Sequence, residues 1–220
     1  MQRHPYSQTS RHRISALFGA GLALAVLSGC GETGASSIAD ASSLIWKDDT
    51  PVYDPVAARE LPYATMEAAL GLAPPSLVVL GRLEGNRHHW ITADRVVIVT
   101  ENGRVVQTAG FPNDLLALRP LDPTASTSET MFTVDLAHRD LYGIRIFCRS
   151  GPSEKMALDI RGVTKDVWKT SEHCTTPDFD WEFENVFWRD ESGYTWKSEQ
   201  HFSPDTPPLE LSILKPAAAR

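Results

Sequence analysis

Four carboxylates in one short stretch come nearest, by type and spacing, to residues that do chemistry. Asp178, Asp180, Glu182 and Glu184 alternate with Phe179, Trp181 and Phe183, a period of two that puts acids on one face of a strand and aromatics on the other. Alternate side chains on a strand lie roughly 7 Å apart, inside the separation of the acid and base of an inverting glycosidase. A solvated strand face carries the same pattern, so the spacing alone does not single out a hydrolase. The motifs H-E-x-x-H, G-x-S-x-G, the P-loop and C-x-x-C do not occur. His88 and His89 are adjacent, point to opposite faces of a strand and so form no joint metal site. Neither a metal nor a cofactor is expected.

The aromatic residues suit binding rather than catalysis. Trp90, Trp181, Trp188, Tyr194 and Trp196 are amphipathic plates that stack on the C–H faces of sugar rings while their N–H or O–H groups meet hydroxyls. Alternating aromatics are equally the ordinary filling of a β core, so a core role and a glycan or partner surface both stand for these five. Arg104, Asn113 and Asp114 are similarly balanced between turn or cap residues and ligands.

The elements that must position these residues read as strands. Leu77–Glu84 and Arg87–Thr92 flank Gly85-Asn86, a two-residue hairpin turn, in a register that sets Trp90 opposite Gly81. Arg95–Thr100 is β-branched on both faces and suits a central strand, and Glu101-Asn102-Gly103 forms a three-residue turn into Arg104–Ala109. Asn113 or Asp114 is placed to cap a short helical turn through Leu118. Thr130–Leu136, Gly143–Arg149, Lys155–Arg161 and Gly162–Lys169 follow at strand spacing. Tyr63–Leu72 is open between strand and two-turn helix. Val186 and Trp188 fall on the acidic parity, which calls for a bulge near Asn185 or a change of neighbouring layer. Glu191-Ser192-Gly193 closes a last hairpin, with Trp188 opposite Trp196. Short strands, tight turns and no βαβ alternation predict an all-β, mainly antiparallel, barrel-like single domain with short helical turns.

The 220 residues, 42% hydrophobic and 22% charged, have an ordinary globular composition. The net charge of −7 excludes a phosphate-tracking nucleic-acid binder, which needs a basic face. At the N-terminus, Arg3, Arg11 and Arg13 precede the uncharged run Ile14–Leu27, too short for a membrane span of about 20 residues but fitting a secretory signal peptide. The run ends in Leu27-Ser28-Gly29-Cys30, which resembles a bacterial lipobox. Residues 1–29 are therefore expected to be cleaved, Cys30 to carry lipid, 30–44 to form a flexible tether and 45–220 the body. Gly31, where Asp would mark inner-membrane retention, favours the outer membrane, with the body facing the periplasm. With Cys30 acylated, Cys148 and Cys174 remain in an oxidising compartment and are expected to form a disulfide.

Val78–Leu115 and Glu184–Pro216 resemble the YjbF/GfcB family of capsule and exopolysaccharide lipoproteins. The likeness rests on Leu80-Gly81, the Trp90 strand, Gly103-Arg104 leading to Thr108-Ala109-Gly110, Asn185-x-Phe187-Trp188-x-Asp190, Ser198-x-Gln200 and Leu61–Ala64. It is loose from Asp122 to Thr176. The resemblance implies a β-rich, outer-membrane-tethered protein linked to surface-polysaccharide export, and it favours a strand at Tyr63–Leu70. The expected function is a non-catalytic periplasmic adaptor that assists assembly or export of the polysaccharide. Its partners are the membrane, through lipid, and the polysaccharide or other export proteins. A polysaccharide-binding module in its own right and a polysaccharide-modifying hydrolase are the alternatives.

Overall fold

A computed structural model describes residues 52–121, 128–137 and 140–217. The signal segment, Cys30 and the tether lie outside the described residues. Among the described residues one helix, α1 (Pro55–Glu60), precedes twelve strands: β1 (Thr65–Leu70), β2 (Ser76–Glu84), β3 (Arg87–Thr92), β4 (Val97–Glu101), β5 (Arg104–Ala109), β6 (Leu115–Pro120), β7 (Glu129–Leu136), β8 (Leu141–Ile160), β9 (Val163–Thr175), β10 (Glu182–Arg189), β11 (Thr195–Gln200) and β12 (Leu209–Lys215). They form one sheet in the order β5-β4-β3-β2-β1-β12-β11-β10-β9-β8-β7-β6. Each pair in the ladder is antiparallel, with β1 joined to β12. The two sheet edges, β5 and β6, lie against each other, so the sheet curls into a nearly closed barrel. Its seam falls between two consecutive strands rather than between the chain ends.

Turn chemistry explains most of the meander and corrects several expectations. Asn102 and Gly103 both have positive φ, 51° and 79°, and Glu101 pairs with Arg104, so the loop is a two-residue primed turn and not a three-residue one. Trp90 pairs with Leu80, and Gly81 is the extra residue of a bulge; a side chain there would clash with Ile91 rather than with Trp90. The expected helical turn through Leu118 is strand β6. Asp114 accepts hydrogen bonds from Thr108 Oγ1 and from the amides of Gly110 and Phe111, so it locks the loop across the seam instead of capping a helix. The two strands expected within 143–161 are one long strand, β8, whose register shifts between Ser150 and Ser153. Asp190 N bonds Tyr194 O as the expected turn requires, but Trp196 is an extra residue on β11, so Trp188 faces Lys197 rather than Trp196.

Two apolar layers result. Inward-facing Met66, Val78, Trp90, Ile98, Leu115, Phe132, Ile146, Trp181, Phe183, Leu209 and Leu211 fill the barrel. On the outside, Ala58 of α1 with Leu158, Ile160 and Val167 near the tip of the β8–β9 hairpin covers Val186, Trp188 and Leu214. Of the two explanations for the parity of Val186 and Trp188, the change of layer holds: β10 runs in unbroken register with β9, and its outer face is buried where the hairpin folds over it. Polar contacts fasten this cover. Arg59 donates to the carbonyls of Ile160 and Arg161, while Glu67 accepts from Arg161 Nε at 2.7 Å and from the Tyr53 hydroxyl. Cys148 and Cys174, directly opposite across β8 and β9, form the expected disulfide at the base of the hairpin.

Candidate functional site

The Asn102-Gly103 turn dips into one end of the barrel and rests on β11. Thr195 Oγ1 donates to Asn102 O at 3.3 Å, and a Cβ on Gly103 would collide with Thr195. The free edge at the start of β5 is completed by a side chain instead of a strand. Gln200 accepts from Val105 N at 2.9 Å and donates to Gly103 O at 2.9 Å, satisfying two backbone groups that burial would otherwise penalise.

This docking carries Arg104 into the interior. Its guanidinium makes a two-pronged pair with Glu172 of β9, Nη1 to Oε1 at 3.0 Å and Nη2 to Oε2, with side-chain exposures of 18% and 7%. It also lies 4.8 Å from the centroid of the Phe132 ring and 4.9 Å from that of Phe187, a cation–π arrangement. Arg189 stands 4.3 Å from the same Phe187 ring. Burial, and then repulsion from Arg104, push its guanidinium below the ordinary arginine range, while Glu172 opposes the shift. Two cations thus share one carboxylate at this end of the barrel.

Away from that pair the interior is packed. Trp181 stacks on Phe183 at 4.3 Å and on Phe179 at 6.0 Å, and Asn185 Oδ1 accepts from His201 N. The space remaining among Arg104, Phe132, Trp181, Phe183 and Phe202 is about 10 Å³, room for roughly one water and not for a sugar.

The match to known proteins extends from residue 38 to residue 214, against the model described as "Group 4 capsule polysaccharide lipoprotein gfcB, YjbF". The chain belongs to the YjbF family. Among its relatives, the uncharacterized lipoprotein GfcB of Escherichia coli (strain K12) is 30% identical over 172 residues, 72% of this chain and 79% of that one. The uncharacterized lipoprotein YjbF of the same strain is 25% identical over 168 residues, 72% of this chain and 78% of the relative. The crystal structure of the hypothetical lipoprotein YmcC from Escherichia coli (K12) superposes with a TM-score of 0.67 at 23% identity, over 86% of this chain and all of that one. The twelve-stranded, nearly closed barrel is accordingly a fold that this YjbF-family chain shares with a solved lipoprotein.

In this YjbF-family barrel the five aromatic candidates do not form one surface. Trp90, 1% exposed, is interior, with Nε1 donating to Thr100 Oγ1 at 3.0 Å, and Trp181 lies in the interior stack. Trp188 and Trp196 belong to the outer layer, where Lys197 sits 5.4 Å from Trp188 and Lys165 4.0 Å from Trp196. Tyr194 meets Trp196 edge-on at 5.1 Å; burial, and then the charge of Asp190, push its hydroxyl up to about 12. The four acids face solvent or pair at the surface. Asp178 accepts from Arg145 N and Nη2, bonds that hold its carboxyl below the usual range, and Glu182 lies 3.4 Å from His173. Asn113 Nδ2 ties its loop to Asp205 O. Sequence reasoning gave no role to Glu172 or Arg189, and Gln200 entered it only as part of the family likeness. The usable signal was strand parity: Glu172 shares a face with Cys174, and a carboxylate on a disulfide-bearing inward face needs a cation.

Proposed function

We propose that this protein assists assembly or export of a capsule-type surface polysaccharide as a non-catalytic adaptor. It would be held in the outer membrane by lipid on Cys30, with its barrel in the periplasm. The observation that carries this reading is the family match over residues 38–214. The packed interior supports it: hydrolysis needs two carboxylates flanking a bound sugar, whereas Asp178 is engaged by Arg145 and the acids of β10 lie on its solvated side. Replacing Asp178 and Asp180 by Asn, and Glu182 and Glu184 by Gln, one at a time, tests the reading in cells making the polymer. Export should be unchanged in all four variants. Loss of export from any one of them in a normally folded protein would overturn the adaptor reading in favour of the hydrolase.

A further inference from the structure

Register places three side chains in one row across the barrel rim: Lys155 of β8 is opposite Trp168 of β9, and Trp168 is opposite Arg189 of β10. Directly opposite residues of adjacent strands share a face. In the next row Ser153 Oγ and Thr170 Oγ1 lie 2.7 Å apart, beside Phe187. Ser153, Trp168, Thr170 and Arg189 line an open groove of about 450 Å³, with Asp190, Glu191 and Gly193 along its other wall.

The charges in this groove are unevenly committed. Asp190 is used by the turn, accepting from Ser192 N, Ser192 Oγ, Tyr194 N and Trp196 Nε1, and Glu191 is exposed at its tip. Among the described residues neither Lys155 nor Arg189 is hydrogen-bonded to or paired with a carboxylate; Lys155 rests on Trp168 and Arg189 on Phe187, and Glu172 acts on Arg189 only through its charge. The one interior carboxylate nearby, Glu172, is taken by both prongs of Arg104. The Arg189 guanidinium opens on the groove, where an incoming acceptor can replace water. Its planar fork matches a carboxylate. The Lys155 ammonium rests 5.1 Å from the centroid of the Trp168 ring and, on an exposed flexible stem, is free to leave the indole for an incoming anion. That movement uncovers an aromatic plate next to a pair of hydroxyls, the surface a pyranose ring stacks on and hydrogen-bonds to.

We propose that this rim groove binds a carboxylate-bearing sugar residue, with Arg189 and Lys155 on the carboxylate, Trp168 under the ring and Ser153 and Thr170 on its hydroxyls. The choice of a sugar over another anion rests on the polysaccharide reading above.

Calorimetric titration of the full-length lipoprotein in detergent micelles tests it, with cellobiouronic acid and digalacturonic acid as uronate probes and cellobiose and acetate as controls. At least one uronate should bind saturably with a Kd below about 10 mM, and cellobiose and acetate at least about tenfold more weakly. R189Q should weaken the uronate by about 10- to 100-fold, the loss of one charge-assisted pair, with cellobiose unchanged. K155Q, at an exposed position that leaves the fold intact, should weaken uronate binding by a few-fold. Acetate binding as tightly as the uronates, no saturable uronate signal below about 20 mM, or full uronate affinity in both variants would each overturn the site. Complementation separates this failure from that of the function. Absent uronate binding in a protein that restores polymer to a deletion strain refutes the groove alone, while normal polymer without the protein refutes the function.

Discussion

Glu172→Gln is the most informative single change in the interior. The glutamine is isosteric and keeps one oxygen for Arg104 Nη1, but its amide nitrogen faces Nη2, donor against donor. Arg104 and Arg189, both against Phe187, would then share a site without a counter-charge. Both members of the Arg104–Glu172 pair are less than one-third exposed, 18% and 7%, so solvent screening takes little from the effect. Breaking a buried pair from one side costs about 3–5 kcal/mol. With a urea m-value of about 2 kcal/mol/M, the unfolding midpoint should fall by roughly 1.5–2.5 M at neutral pH, with the slope unchanged. The double variant Arg104→Met/Glu172→Leu removes both charges and should be more stable than Glu172→Gln, because no unpaired carboxylate or Arg104 cation is left. A Glu172→Gln cost below about 1 kcal/mol, the range of a surface pair, would refute the reasoning. So would a double variant losing the sum of the two single losses.

Other consequences follow from single contacts. Replacing Cys148 and Cys174 together by Ser should cost about 2–4 kcal/mol, read as a lower thermal midpoint that reductant no longer shifts. Gly103→Ala should cost about 2–4 kcal/mol because strain at positive φ adds to the collision with Thr195. Gly85→Ala, also at positive φ but with open space around it, should cost only about 1–2 kcal/mol; equal costs in urea titrations would contradict the inward docking of the β4–β5 turn. For Asp190, burial alone would raise the carboxyl, but bonds from Ser192, Trp196 and Tyr194 hold it below its ordinary value. A depressed folded pKa contributes stability above the unfolded pKa of about 4 and loses it as pH falls through the folded one. Asp190→Asn should therefore destabilise the protein at pH 7 and flatten its acid unfolding limb, as followed by tryptophan fluorescence.

The strands were legible because alternation of apolar and polar residues is a local signal, and the disulfide because compartment chemistry left two cysteines to pair. The bulges at Gly81 and Trp196 were not, since an extra residue leaves no mark in composition yet moves every later pairing by one position. Asp114 misled because a carboxylate accepting amides looks the same at a helix cap and in a locked loop. The burial of Val186 and Trp188 depends on the distant tip of the β8–β9 hairpin folding back over β10, and no local pattern encodes that. Arg104 and Glu172 are 68 residues apart, Arg104 opening an expected strand and Glu172 lying beyond the expected end of another at Lys169, where the strand in fact runs on to Thr175. Trp168 was passed over for the aromatic-rich stretch after Pro177, although its cross-strand partners Lys155 and Arg189 are what distinguish it.

The adaptor account is tested most directly by comparing the surface polymer of a strain deleted for this protein with that of its parent, measuring both the amount outside the cell and the sugar and linkage composition of the repeat unit. An adaptor alters delivery, so the account predicts less extracellular polymer of unchanged composition, restored by the wild-type chain and not by Cys30→Ala. Polymer of altered composition, or of normal amount, would contradict it.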